Sequence, residues 1–187
     1  MTRRWLAFIA VGAVLLSGCS KKQEANDTLP SPSAAETTPE LPPLGPDDMP
    51  MPAEARTQDA AGAEAFVRYY IALINRTSTI MDAKPLRDLS DGCADCNRIA
   101  DATEQAEAAG RDYVGGQMTI LQVGRPLVRG DKAELALRVD QAEFVVLDPS
   151  GRPTEGGSEA FSNVAGGATL RWDGTRQTWL VAGLTLG

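Results

Sequence analysis

The stretch that decides the fold is RWDGTRQTWLVAGLTL, residues 171–186. Two β-rich runs, each carrying a tryptophan, flank the turn signal Asp173-Gly174. A connection this short joins neighbouring strands in antiparallel pairing. The segment therefore predicts a hairpin in which Trp172 and Trp179 form a cross-strand pair or anchor the core, rather than provide a ligand platform.

More β-rich runs precede this hairpin, and turn signals at residues 129–131 and 149–151 separate them. In the run 132–140, alternation places Ala133, Leu135, Leu137 and Val139 on one face. Short connections again indicate antiparallel pairing. The predicted strands are QMTILQV (117–123), KAELALRVD (132–140), AEFVVLD (142–148) and GATLRW (167–172).

Helical patterns occupy the part of the chain before these strands. Residues 57–77 carry an amphipathic stripe that Thr57 or Asp59 can cap. Tyr69 and Tyr70 are adjacent, so the helical period predicts that only Tyr70 faces the core. The apolar stripe consists of Ala63, Phe66, Val67, Tyr70, Ile71 and Ile74.

Two shorter helices are expected next. The first starts at Asp82 and runs through residues 83–91, and the second covers about 94–109 and stops at Gly110. In the second, Ile99, Ala102 and Ala106 share one face. Helices followed by strands predict an α+β domain, with N-terminal helices packed on a curved antiparallel sheet.

The only cysteines in this domain, Cys93 and Cys96, form a CxxC motif. A redox-active CxxC normally follows a buried strand in a βαβ unit, whereas a polar helical segment precedes this one. Asp95 opposes thiolate formation, although a helix N-terminus favours it. A structural zinc site needs four ligands, which this pair does not supply. We interpret the pair as a disulfide that fixes the turn between the second and third helices, with redox thiols and a metal site as alternatives.

The N-terminus has the pattern of an export signal. Arg3 and Arg4 precede an apolar run of twelve residues, which is too short to span a bilayer. The following Leu16-Ser17-Gly18-Cys19 matches a bacterial lipobox. We therefore predict that residues 1–18 are a lipoprotein signal peptide and that Cys19 is the lipid attachment site at the extracytoplasmic face of the cell membrane. Two acyl chains anchor a protein stably.

Residues 19–56 are predicted to form a lipidated, disordered tether. Eight of the twelve prolines lie here, and no aromatic residue occurs between Cys19 and Phe66. The 37 residues from Ser20 to Arg56 would span ~115 Å as polyproline II and roughly 35 Å as a flexible coil. Residues 57–187 then form the single domain.

Composition excludes several functions. The chain of 187 residues contains no histidine, which rules out Ser-His and Cys-His nucleophile pairs and HExxH zinc sites. The net charge is −7, and loss of Arg3 and Arg4 makes it more negative. Such a surface repels phosphate backbones, so we expect no nucleic-acid partner.

The layout resembles the NTF2-like (cystatin-like) α+β cone, most clearly in residues 171–186. The whole chain is similar to an uncharacterised family of actinobacterial lipoproteins, in which the lipobox at Cys19, the Pro/Thr/Glu tether, AEAFVRYYIALIN (63–75), Leu-Ser-x-x-Cys-x-x-Cys (89–96) and the Trp179 strand correspond. The resemblance implies a fold and a location but no activity. Enzymes of this fold use Asp with His or Tyr inside the cone, and no catalytic residue can be transferred to this chain.

We therefore expect a non-enzymatic binding or accessory domain, without cofactor or metal, that acts on a cell-envelope protein or captures an apolar small molecule. One alternative is an isomerase-type enzyme, which requires a buried carboxylate with a raised pKa. Another is a CxxC thiol-disulfide oxidoreductase. An exposed apolar surface would favour the binding module over the isomerase.

Overall fold

The computed structural model describes residues 41–186. The predicted signal peptide, Cys19 and residues 20–40 lie outside this part. The described elements are a 3₁₀ turn (Ala53–Arg56), the helices α1 (Ala60–Ile80), α2 (Lys84–Asp88) and α3 (Ala94–Ala108), and the strands β1 (Asp112–Gly115), β2 (Met118–Val123), β3 (Leu127–Arg129), β4 (Lys132–Gln141), β5 (Phe144–Leu147), β6 (Phe161–Asp173) and β7 (Thr178–Leu186).

The main sheet is antiparallel, in the order β2-β4-β6-β7, and β3 also pairs with β4. Strands β1 and β5 form a separate two-stranded ribbon. Each pairing along the main sheet contains a register shift, and such bulges bend and twist a sheet. The predicted α+β fold class, with N-terminal helices packed on a curved antiparallel sheet, is confirmed.

Strand β4 shows why the helices lie on one side of the sheet. Ala133, Leu135, Leu137 and Val139 are buried, as predicted, and the residues from Lys132 to Arg138 that alternate with them are exposed. The buried side faces α1, whose predicted apolar stripe is also fully buried. Removing these apolar surfaces from water is the main term that holds the two layers together.

The N-terminus of α1 is capped by Asp59, whose Oδ1 accepts a hydrogen bond of 2.7 Å from the backbone N–H of Gly62. Asp59 is one of the two predicted caps. The prediction that only Tyr70 of the tyrosine pair faces the core is wrong, because Tyr69 is buried as well. Its hydroxyl donates a 2.8 Å hydrogen bond to the carbonyl oxygen of Met49.

Tyr69 is covered by residues 41–56, which we call the strap. Met51 and Ala55 of the strap are buried in the core. Arg76 donates from Nε and Nη2 to the carboxylate of Asp48, at 2.8 and 2.7 Å. The prediction of a disordered tether up to residue 56 is therefore wrong for residues 41–56, which belong to the packed domain.

Arg56, at the C-terminal end of the strap, makes hydrogen bonds to the N-terminal end of the strap and to the body of the domain. One guanidinium nitrogen donates to the carbonyl oxygen of Pro42 at 2.6 Å, and another donates to that of Arg176 at 2.7 Å, in the turn between β6 and β7. Sequence reasoning missed the strap because its apolar residues are scattered among prolines. Those prolines also restrict the unfolded chain and so reduce the entropy lost on docking.

The predicted pairing of the two tryptophans is confirmed. Trp172 and Trp179 are direct partners across β6 and β7, and their rings meet edge to face with centroids 5.2 Å apart. Trp179 is fully buried, and its indole N–H donates a 2.9 Å hydrogen bond to the carbonyl oxygen of Thr57. The closing hairpin is thereby tied to the segment that leads into α1.

Two details of the short helices differ from the prediction. Helix α2 is shorter than predicted, from Lys84 to Asp88 with Ala83 as its N-cap. Asp82 precedes it and accepts a 3.2 Å hydrogen bond from the backbone N–H of Lys84. In α3, Ala102 is exposed, because it lies at the flank of the buried face and not at its centre. The buried residues of that helix are Cys96, Ala100, Thr103 and Ala106.

Candidate functional site

A cleft of about 280 Å³ lies between α3 and the β1–β5 ribbon. It opens to the surface beside the exposed Ala102. We call it the α3 cleft. A small concave surface of this kind, lined mainly by apolar groups, is typical of binding sites for small molecules. Its apolar and aromatic lining consists of Ile74, Ile99, Ala102, Tyr113, Met118, Phe144 and Leu186.

Asn75 positions the β2 side of the cleft. Its side-chain amide donates a 2.8 Å hydrogen bond to the carbonyl oxygen of Met118, and its Oδ1 accepts a 2.8 Å bond from the N–H of the same residue. Asn75 thus satisfies both backbone groups of Met118 as a neighbouring strand would. Helix α1 and strand β2 are held at a fixed distance where they meet the cleft.

Tyr113 and Phe144 form an aromatic wall. Their rings meet edge to face with centroids 4.8 Å apart. The Tyr113 hydroxyl donates a 2.8 Å hydrogen bond to the carbonyl oxygen of Ala102, which ties the ribbon to α3. Burial raises the pKa of the Tyr113 phenol, so the group is neutral and remains a donor at physiological pH.

Gly116 allows Phe144 to close this wall. Its φ is 76°, in the left-handed region, and a Cβ atom there would lie 2.7 Å from Cδ2 of Phe144. Any side chain at this position would push the ring out of place. The consecutive glycines at 115 and 116 were visible in the sequence, but only the fold shows what they pack against.

Polar groups line part of the cleft. Among residues 41–186, Arg98 is the only charged residue that lines it, and its guanidinium donates to Asp95 at 3.1 Å while remaining mostly exposed. The hydroxyls of Ser78 and Thr103 donate to carbonyl oxygens in their own helices. Gln141 also lines the cleft, which therefore combines an apolar and aromatic wall with several polar groups, of which Arg98 is cationic.

Sequence reasoning did not identify Tyr113, Phe144 or Arg98 as site residues. Tyr113 lies on β1, whose four residues are too short to give a periodic signal. The helical period places Arg98 and Ala102 on one side of α3, but it indicates that this side lines a cleft only when the orientation of α3 is known. The one available signal was a tyrosine placed between the turn-forming Gly110 and Gly115.

The carboxylates of residues 41–186 do not provide the group that the isomerase alternative requires. In the part of the chain that the structure describes, the buried polar side chains are Thr77, Thr103 and Thr178. Where a carboxylate pKa is shifted there, it is lowered. Hydrogen bonds from Arg76 and Arg176 lower the pKa values of Asp48 and Asp173. An acid–base carboxylate would need a raised pKa.

The structure places Cys93 and Cys96 together at the start of α3. Their sulfur atoms are 2.00 Å apart, which is the distance of a disulfide bond. Cys93 is the N-cap residue, and its Sγ accepts a hydrogen bond of 3.1 Å from the backbone N–H of Cys96. Both residues are buried. Burial of the sulfurs favours a structural bond over thiol exchange, which requires access for an attacking thiolate.

The lipid attachment predicted at Cys19 lies outside the described residues. Among residues 41–186, no helix is long and apolar enough to cross a membrane. The same residues contain no group of three or more acidic or cysteine side chains arranged to hold a metal ion.

The chain is similar in shape to several solved structures. One is the intermembrane space region of the chloroplast protein ARC6, at 14% identity, with 68% of this chain and 95% of that chain covered and a TM-score of 0.47. A protein titled Rd1NTF2_05 with five substitutions is 12% identical over 67% of this chain and 99% of that chain, with a TM-score of 0.39. A protein from Catenulispora acidiphila is 8% identical over 67% and 94%, with a TM-score of 0.35.

No curated protein matches the chain. A family model described as "Family of unknown function (DUF6318)" matches residues 48–185, which is almost all of the part that the structure describes and includes half of the strap. The chain therefore belongs to this family of unknown function, DUF6318.

Proposed function

We propose that this protein is a lipoprotein anchored at the extracytoplasmic face of the cell membrane through Cys19, and that its domain is a non-enzymatic binding module. The anchor is supported by the lipobox at residues 16–19, which follows a short apolar run. The binding role is supported by the α3 cleft, and above all by the aromatic wall of Tyr113 and Phe144.

The ligand that fits this cleft is a small molecule with an apolar body and an anionic end. The body would lie against the aromatic wall, and the anionic end would contact Arg98, the one cation at the edge. A second depression, of about 140 Å³, lies beside Leu184 and shares Arg98 and Leu186 with the cleft. The cleft also suits an apolar side chain of a cell-envelope protein, which is the second candidate.

Filling the cleft should abolish binding. In residues 41–187, Ala102→Trp is expected to weaken binding of anilinonaphthalene sulfonate, a probe with an aromatic body and a sulfonate, by about tenfold or more, since the indole would occupy the space of the ligand. Fluorescence titration measures the affinity. Ala108→Trp, on the exposed end of the same helix, is the matched control and should bind as the unmodified domain does.

Equal affinities of the two tryptophan variants and the unmodified domain would contradict the cleft as a binding site. Native mass spectrometry of the purified domain then separates the two candidates. A co-purified small molecule, lost in Ala102→Trp, identifies the first candidate. An empty domain that crosslinks through a photoreactive group at residue 102 to an envelope protein identifies the second.

The anchor has its own test. The full chain, expressed in a bacterium fed an alkyne analogue of palmitate, is expected to carry the label, and Cys19→Ala is expected to lose it completely. Cys93→Ala with Cys96→Ala is the control and should keep the label, because those two sulfur atoms are joined in a buried disulfide and are not the predicted attachment site. An unlabelled full chain, or a labelled Cys19→Ala variant, would refute attachment at Cys19.

A further inference from the structure

One face of the main sheet has no layer packed on it in the part of the chain that the structure describes. The helices cover the face that carries Leu135 and Leu137. On the opposite face, Glu134, Ala136 and Arg138 of β4 are exposed. We call this opposite side of β4, β6 and β7 the outer face.

The centre of the outer face is flat because its side chains are small. Ala136 pairs with Gly167 on β6, and Gly167 pairs in turn with Thr185 on β7. A wide, shallow depression of about 670 Å³ crosses these three strands. At its edge lies Leu127, whose 56% exposure is the highest among the large apolar residues of the described part. A second flat surface could approach this centre closely.

Two opposite charges flank the centre symmetrically. Glu134 lies two residues before Ala136 and Arg138 lies two residues after it, on the same side of the same strand. Glu134 makes no ion pair with any residue in the range 41–186. Arg138 donates only from Nη1, to Asn163, which leaves its other nitrogens for a partner.

We propose that the outer face binds a second copy of this chain. The two-fold axis passes between the two facing sheets, perpendicular to β4, at the level of Ala136. The two β4 strands then lie one above the other and run antiparallel. Each Glu134 then faces the partner's Arg138, and the pair occurs twice. Self-complementarity of this kind is what a symmetric two-fold interface requires. The proposal goes beyond the binding role of the α3 cleft and does not depend on it.

The same charges set the orientation of the two copies. If the β4 strands ran parallel, each Glu134 would face a second Glu134, and like charges brought together at an interface oppose association. Stacked sheets pack about 10 Å apart, and small central residues permit a closer approach. The antiparallel arrangement also covers the exposed Leu127.

A crosslinking experiment on the full chain in detergent tests this proposal. Ala136→Cys lies on the proposed axis, so a short bismaleimide should join two copies in high yield. Gln105→Cys, on the exposed side of α3, is the matched control and should give only the background of the unmodified chain. A yield for Ala136→Cys no higher than that of Gln105→Cys would overturn the proposal.

Charge reversal in the Ala136→Cys background gives the second test. Glu134→Arg or Arg138→Glu alone places like charges together and should lower the crosslinked fraction by about tenfold. The double reversal restores both pairs and should restore the crosslinked fraction to near that of Ala136→Cys. Circular dichroism checks that each variant is folded. A folded double variant that stays as poorly crosslinked as the single variants, or single variants that crosslink fully, would overturn the proposed orientation.

Discussion

Replacing Trp179 by alanine is expected to lower the free energy of unfolding by about 3–5 kcal/mol, which is the usual loss for truncating a buried tryptophan. Trp179 is fully buried and lies next to the turn of the closing hairpin. Its removal leaves a cavity in the core and takes away the edge-to-face contact with Trp172. It also leaves the carbonyl oxygen of Thr57 without its indole donor.

Urea unfolding of residues 41–187, followed by far-ultraviolet circular dichroism, measures this loss. Trp172→Ala is the matched control. Trp172 is only partly buried, so its truncation should cost about 1–2 kcal/mol less than that of Trp179. Equal losses for the two variants would show that the contact between the rings, and not the burial of Trp179, carries the effect.

Removing the 93–96 disulfide has the second largest expected effect. The double variant Cys93→Ala, Cys96→Ala should lose about 2 kcal/mol from the release of a four-residue loop in the unfolded chain. It should lose roughly 1 kcal/mol more because both sulfurs are buried. The total of about 3 kcal/mol is measured by urea unfolding without reductant.

Mild reductant separates the structural reading of this bond from the redox alternative. For the unmodified domain, mass spectrometry after treatment with glutathione should show the oxidised mass while the protein is folded and the reduced mass once it is unfolded, because Cys93 and Cys96 are inaccessible in the folded state. Rapid reduction of the folded domain would instead favour a thiol-disulfide oxidoreductase.

Elements with a strong period could be predicted from the sequence. In α1 the repeat of apolar residues through Phe66, Tyr70 and Ile74 matched the buried face, because a helix of 21 residues presents the same stripe over many turns. In β4 the alternation from Ala133 to Val139 matched the buried face of the strand, because it also repeats over several residues. A long periodic signal survives local irregularities.

Features created by tertiary contacts could not be predicted. Tyr69 is off the helical stripe, and it is buried because the strap lies over it. Strands β1 and β3 have four and three residues, so they show no period, and they are strands only through their pairing. Ala102 lies beside a cleft because of the orientation of α3. These misses include most of the candidate site, since a site is formed where several elements meet.

The strap has a mechanical consequence. A pull on the chain from its N-terminal side reaches Pro42 before it reaches any helix. Arg56 transmits this load to the turn at Arg176, while Asp48 passes part of it to Arg76 on α1. These polar links should yield first and release the strap gradually, while Asp59 and α1 stay in place. Because Met51 and Ala55 of the strap are buried in the core, further extension would then expose the apolar surface beneath them.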